Sequence, residues 1–309
     1  MRAAVVSEYG PPDVVRVADV PDPVPRAGEV LVRVVATTVN SGDARIRGAR
    51  FPRGFGPLAR LAIGLRGPRR PVLGVVFSGV VEAVGVGAAF TVGDEVCGMT
   101  GAKLGAHAEL VRAAKVVRKP AEVSHDDAAG VLFGGTTALH LLRDVRRGQS
   151  VLVVGASGAV GTNAVQLAAH AGATVTAVCG AANAELVRGL GAAHLVDHRR
   201  TPLAEITDRF DVVLDTVGTL DPATGRRLLT DDGVLVLAVA SLGETVLPRR
   251  RVRAGVTPER PADFALLLER VAKGELRVVV DEVVGFDGIV AAHRRVDSGR
   301  KVGNLVLRP

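Results

Sequence analysis

Short runs in which apolar and polar residues alternate fill the first 120 residues, among them Val14–Val17, Glu29–Val35 and Val75–Val86. Alternation with period two puts every second side chain on one face of a strand. Gly10-Pro11-Pro12, Pro21-Asp22-Pro23 and Val92-Gly93-Asp94 punctuate the runs as turns. The pattern predicts a compact antiparallel β domain. Val72–Phe90 is the most apolar stretch, but Ser78, Glu82 and the glycines at 74, 79, 85 and 87 interrupt it. It reads as two strands and a turn, short of the ~20 nearly unbroken apolar residues of a membrane span.

After Pro120 the texture changes. Ser124-His125-Asp126-Asp127 has the composition of a helix start, with acids in the first turn. Strands are predicted at Val151–Val154, Thr174–Val178, Leu195–Asp197, Asp211–Leu214 and Val234–Val239. Helices are predicted at Ala159–Ala171, near Ala182–Gly189, and between the last two strands. Buried strands alternating with helices specify a parallel, doubly wound sheet. The tail carries a predicted helix, Pro261–Lys273, and apolar strands at Val278–Val284 and Leu305–Leu307, a return to the β domain. The fold expected is α/β: residues 1–118 and 257–309 form the β domain, and 119–256 the inserted Rossmann domain.

The sharpest local signal is Val154-Gly155-Ala156-Ser157-Gly158-Ala159-Val160-Gly161, directly after a strand and directly before a helix. Three glycines spaced by three are needed where a strand turns sharply (Gly155), where backbone must approach a pyrophosphate (Gly158), and where the helix packs on the strand (Gly161). The helix N-terminus then offers amide N–H groups to the anion. This constellation predicts dinucleotide binding. An acid at the end of the second strand would take the ribose 2′-hydroxyl of NAD. The residues there are Cys179-Gly180-Ala181-Ala182-Asn183, with no acid before Glu185. NADPH is therefore favoured, with Arg188, His198 and Arg199 as candidates for its 2′-phosphate; NADH stays open. Val217-Gly218 and Ala238-Val239, after the fourth and fifth strands, fall where cofactors line the crest of such sheets.

Composition narrows the class further. With 309 residues, 48% apolar and 23% charged, the chain fits two globular domains and excludes disorder or a fibrous repeat. Its two cysteines, Cys97 and Cys179, are far apart, which excludes a disulfide scaffold and a cysteine-rich metal site. The net charge of +7 raises the question of a nucleic-acid partner. The arginines are scattered, however, and Trp is absent with a single Tyr, so aromatic platforms for single strands are lacking and that partner is disfavoured. The N-terminus meets Glu8 and Pro11-Pro12 before any signal-peptide core forms, so a cytoplasmic protein is expected.

Val39-Asn40-Ser41-Gly42-Asp43 with Arg47-Gly48, Gly79–Gly85, Val92–Val96, Gly105–Glu109, Gly134–Leu139, the glycine loop, Leu190-Gly191-Ala192 with Val196-Asp197, Asp211–Gly218 and Gly299–Leu307 run nearly end to end. In these segments the chain resembles the medium-chain dehydrogenase/reductase superfamily, in its zinc-free, quinone-oxidoreductase-like branch. The resemblance implies a GroES-like domain beside the Rossmann domain, hydride transfer between a nicotinamide and a small-molecule quinone, enone or carbonyl, and a homodimer.

It also implies roles for single residues. Zinc alcohol dehydrogenases have a Cys where Asn40 stands, a His near Val75, and a Cys or acid near Phe133. Those positions do not form a ligand set here, so no zinc is expected and an already conjugated acceptor is favoured. Asn40 is implied to hydrogen-bond the nicotinamide or a substrate oxygen, or else only to order its loop. Asp43 divides between a site role and a cap. Thr136 and Thr137 are read as starting a helix, with Thr137 either at the nicotinamide or capping. Asn304 is placed with the cofactor residues. His198 stands where many relatives have a Tyr, either near the adenine or simply solvated. The Tyr that enoyl-thioester reductases carry after the Arg-x-Gly segment is missing from Arg47-Gly48-Ala49-Arg50-Phe51, which argues for a proton from solvent or substrate. His107 is a candidate general acid or a packed position. The Arg-rich insert between Phe51 and Pro71 is either a cap over the substrate or a solvated helix, and Arg249–Arg253 is a candidate dimer edge. The leading expectation is a zinc-independent, NADPH-dependent quinone or enone reductase. The alternatives are a zinc-free carbonyl or alcohol oxidoreductase and a non-catalytic NADPH-binding protein.

Overall fold

The computed structural model describes residues 1–246 and 251–309. The chain divides into two compact units. One comprises Met1–Phe51, Gly56–Phe133 and Glu259–Pro309; the other comprises Pro52–Phe55 and Gly134–Pro258.

The first unit is built on a mixed sheet in which Val280–Gly285, Asn304–Arg308, Val30–Val39, Val76–Val84, Glu95–Met99 and Lys115–Arg118 follow one another across the sheet. Leu110–Ala113 adds to Val30–Val39, and Arg2–Val6 pairs with Val15–Asp19 in a separate ribbon. Its core is Val30, Val32, Val34, Phe77, Val81 and Val96, the inward half of the alternating pattern. Two expectations change. Val72–Phe90 holds one strand, not two: past Val84 the chain turns, with the Ala88 N–H on the Gly85 carbonyl at 3.1 Å and Gly87 at φ +78°, and Val86 is exposed. The tail pair is parallel, which requires a crossover. The crossover is a helix the sequence pattern did not predict, Ile289–Asp297, burying Ile289, Ala292 and His293.

The second unit is a parallel sheet ordered His194–Asp197, Thr174–Cys179, Ser150–Val154, Phe210–Asp215, Leu229–Leu237, Val252–Ala254. In chain order this is 3-2-1-4-5-6, the Rossmann arrangement. Leu152, Val213, Leu228 and Leu235, all fully buried, lie in its core. The fifth strand begins earlier than the apolar pattern indicates, because exposed Asp231-Asp232 ride on a register shift opposite Phe210–Val212.

One division between the units falls in the sequence at 133/134, inside the helix His125–Leu141, whereas the boundary expected from the sequence lies at 118/119. Ala129, in the first half of that helix, packs with Ala36 and Val306 of the first unit. Among the described residues no helix is long and apolar enough to cross a membrane.

Candidate functional site

In the second unit, the strand Ser150–Val154 ends in Gly155 at φ +78°, a left-handed turn suited to glycine. A Cβ there would also sit 2.4 Å from Val217 Cγ2. At Gly161 a Cβ would come within 2.1 Å of the Gly155 carbonyl oxygen, so close packing of helix Ala159–His170 on the turn demands glycine. Gly158 differs. Its φ is −80°, and the nearest atom to a Cβ is 3.5 Å away. Among the described residues that space is left open, in front of a helix start that no side chain caps. Open space before uncapped amides fits a pyrophosphate.

The other loop residues gather around it. Asn183 donates its Nδ2–H to Ser157 Oγ at 3.1 Å. Cys179 ends the second strand, and His198 donates its backbone N–H to the Cys179 carbonyl at 3.3 Å. A Cβ at Gly180 would lie 3.5 Å from the exposed ring of His198. A cavity of about 260 Å³ opens beside Cys179 and Ala181, lined also by Arg188, Asp197 and Arg200. Arg200 was missed in the sequence, where Arg199 was the candidate. Asp197 takes the Arg199 backbone N–H at 3.0 Å.

Val217 and Gly218 are held by Asp215, a fully buried carboxylate that accepts from the N–H groups of Val217 (2.8 Å), Gly218 (2.9 Å) and Leu220 (2.7 Å). Gly218, at φ +89°, allows Val239 to close in at 3.1 Å from a Cβ position, and Ala238 donates to the Asp215 carbonyl at 2.9 Å. Gly155–Gly161, Val217-Gly218 and Ala238-Val239 thus converge at the carboxyl ends of the central strands. Gly134, in helix His125–Leu141, would place a Cβ 2.1 Å from the Ala159 carbonyl, so that helix runs against the start of the glycine-loop helix. Thr137 is one turn further on the same face. Thr136 and Thr137 stand in the last third of a helix that starts at His125, which removes the capping role.

The remaining candidates lie in the first unit. Asn40 caps the helix Ser41–Arg47: its Oδ1 accepts from Gly42 N–H (2.8 Å) and Asp43 N–H (3.3 Å), while Asp43 Oδ2 accepts from Asn40 N–H (2.9 Å). This reciprocal capping box is extended by Gly74 N–H, which donates to Asp43 Oδ1 at 3.0 Å. Asp43 thus takes part in the cap, and burial pushes its carboxyl above the ordinary range against the pull of His107. Asn40 Nδ2 is buried and, among the described residues, donates to nothing. A buried amide N–H without an acceptor is costly. His107 Nε2–H is spent on the Thr38 carbonyl at 3.0 Å, and its ring meets His293 edge-on at 6.2 Å. It is a packed residue. Asn304, in the first unit, donates its Nδ2–H to the Val279 carbonyl at 3.1 Å. Among the described residues no three His, Cys, Asp or Glu side chains cluster to hold a metal ion. Arg249 and Arg250 lie outside the described residues.

Residues 26–138 match the alcohol dehydrogenase GroES-like domain model, and 190–307 match the zinc-binding dehydrogenase model. A mitochondrial NAD(P)H oxidoreductase of Danio rerio is 30% identical over 99% of this chain and 91% of its own length. The chain belongs to the medium-chain dehydrogenase/reductase superfamily, in its quinone-oxidoreductase-like branch. The 2-methylene-furan-3-one reductase of Solanum lycopersicum is 29% identical over 100% of this chain and 79% of its own length. The quinone oxidoreductase of Coxiella burnetii superimposes with a TM-score of 0.88 at 26% identity, covering 100% of this chain and 99% of that one. This member of the superfamily is accordingly an NAD(P)H-dependent reductase acting on small molecules.

Proposed function

We propose that this reductase prefers NADPH, works without zinc, and reduces a quinone or an α,β-unsaturated carbonyl. The observation that carries the reading is Asn40: its oxygen is committed to the helix, and its Nδ2–H is buried and unpaired. Such a donor suits the oxygen of a conjugated carbonyl, on which negative charge develops as the acceptor is reduced. It stands where zinc alcohol dehydrogenases have a metal-ligating Cys, so a neutral hydrogen bond takes the place of a Lewis acid. A conjugated acceptor needs no stronger polarisation.

The cofactor supplies hydride from its nicotinamide. The backbone of Gly155, Ala156, Ser157, Gly158, Ala159, Val160 and Gly161 would hold its pyrophosphate. Cys179, Gly180 and Asn183 with the guanidiniums of Arg188 and Arg200 would receive the adenosine end, since no carboxylate ends the second strand to claim a free 2′-hydroxyl. Val217, Gly218, Ala238, Val239 and Thr137 would border the nicotinamide end. Catalysis in this reading comes from positioning and from the Asn40 donor, with the proton drawn from solvent or substrate. The reading also takes the chain to act as a cytoplasmic homodimer, for which cell fractionation and sedimentation velocity are the tests.

The deciding experiment follows nicotinamide absorbance with NADPH and NADH against quinones, enones and simple ketones, with and without a strong chelator. The expected outcome is NADPH-preferring turnover of quinones or enones, unchanged by chelator and by metal-free preparation. Turnover confined to ketones or alcohols and lost with zinc would overturn the proposal.

A further inference from the structure

A surface cavity of about 540 Å³ lies wholly within the first unit, and none of its lining residues belongs to the glycine loop or to the Asn40 capping box. That volume is in the range of small-molecule sites. Arg26, Arg69, Arg70, Lys103 and Arg112 contribute to its lining. Carboxylates near it are already used: Glu29 takes Lys103 at 2.7 Å and faces Arg112 at 3.8 Å, and Asp22 takes the N-terminal amine at 2.7 Å. The Lys103 ammonium holds the Glu29 carboxyl below its ordinary range. Arg70 and Arg112 donate to the carbonyls of Ala102 (2.6 Å) and Val24 (3.3 Å), contacts that orient the forks without neutralising them. Among the described residues no acceptor faces the Arg26 guanidinium. The site therefore carries an excess of positive charge on planar forks, which suit carboxylate or phosphate.

Its remaining walls are aliphatic: Val20, Pro23, Val72, Leu104, Leu110 and Val111. Among the described residues no aromatic ring lines it, so they offer no platform for a nucleobase. A basic rim over an aliphatic floor matches a ligand with an anionic head and an alkyl chain.

The geometry points to a second ligand site in this chain, separate from the cofactor and from Asn40, that binds an anionic alkyl amphiphile by its carboxylate or phosphate head. The ligand is either a free metabolite or the headgroup end of an anionic lipid, and the two sources share this chemistry.

The test is calorimetric titration of the full-length, NADPH-loaded protein with inorganic phosphate, butyl phosphate and octyl phosphate, the last below its micelle concentration. Octyl phosphate is expected to bind at least tenfold more tightly than inorganic phosphate. A fully buried methylene is worth about fourfold, the equivalent of ~0.8 kcal/mol, which sets the upper limit of the gain per carbon. Arg26→Gln, which breaks no side-chain hydrogen bond or ion pair among the described residues, is expected to weaken octyl phosphate at least fivefold with melting temperature and reductase activity unchanged. Leu110→Gln should weaken octyl phosphate but not inorganic phosphate. Flotation with phosphatidylglycerol and phosphatidylcholine vesicles separates the sources: retention on the anionic vesicles that Arg26→Gln abolishes assigns a lipid, and monomer binding without retention assigns a free metabolite. Equal affinity for inorganic and octyl phosphate, indifference to Arg26→Gln, or competition by NADPH or by a turned-over quinone would each overturn the proposal.

Discussion

Replacing Gly158 by alanine separates a glycine needed by the cofactor from glycines needed by the fold. Its extended φ of −80° is open to alanine, and the added Cβ meets nothing nearer than 3.5 Å. Alanine is a poorer N-cap than glycine by roughly 0.5 kcal/mol, and it removes about 0.4–1 kcal/mol of unfolded-chain freedom. These offset, so the apo melting temperature should stay within about 3 °C of the parent. The methyl group, however, occupies the space before the uncapped amides of helix Ala159–His170. Loss of one hydrogen bond to a charged oxygen costs about 1.5–3 kcal/mol, or about 10- to 150-fold in NADPH affinity. Gly161→Ala is the contrast, because its Cβ would lie 2.1 Å from the Gly155 carbonyl and 2.7 Å from Ala156 Cα. Both neighbours are backbone, so the structure must shift at a cost of about 1–3 kcal/mol, and melting temperature falls along with affinity. Fluorescence titration with NADPH and differential scanning calorimetry of both apo variants provide the measurements. Gly158→Ala binding NADPH within twofold of the parent, or melting as low as Gly161→Ala, would refute the reasoning.

Three further outcomes are expected. Asn40→Ser keeps an oxygen for the cap and removes the free Nδ2–H, so kcat/KM should fall by at least about tenfold, one hydrogen bond's worth, while melting temperature stays within about 3 °C; an unchanged kcat/KM sinks the role of Asn40. Burial, together with His107 and Arg47, lowers His293 to about 3; with an unfolded value near 6.5, its stabilising effect is full above pH 6.5 and declines as acid protonates the unfolded chain, by about 2 kcal/mol between pH 6.5 and 5. Asp43, whose carboxyl is raised, contributes in the opposite sense, so the comparison is with His293→Gln, whose melting temperature should fall less over that interval. Burial pushes Cys97 up to about 12, so a thiol reagent at pH 8 should leave it unlabelled in the native protein until the chain unfolds, as mass mapping would show.

The glycine loop was legible because its information is local: three glycines, a strand before and a helix after lie within about a dozen residues. The parallel sheet was legible for the same reason, each strand announcing itself by composition. What pairs across the fold was not. Asp215 reads in sequence as any acid ending a strand, and only the folded turn shows it accepting from three backbone N–H groups. Gly134 gives no sign that the Ala159 carbonyl will lie against it. Arg199 and Arg200 are indistinguishable by type, yet only Arg200 lines the cavity beside Cys179. The helix Ile289–Asp297 escaped notice because its few apolar residues are interspersed with His293, Arg294 and Arg295. The free Nδ2 of Asn40 is a matter of what its oxygen does, which no spacing encodes.

The antiparallel pairing of Leu305 with Val39 orders events on the ribosome. Until the strand Asn304–Arg308 is made, Val30–Val39 keeps an unfinished sheet edge toward its carboxyl end. At ~5–20 residues per second the roughly 260 intervening residues take about 13–50 s to synthesise. The inserted parallel unit needs nothing beyond Pro258 for its sheet and is complete first. During that interval the exposed edge invites pairing with other chains. The nascent protein thus carries near its beginning an edge that its own late strand covers.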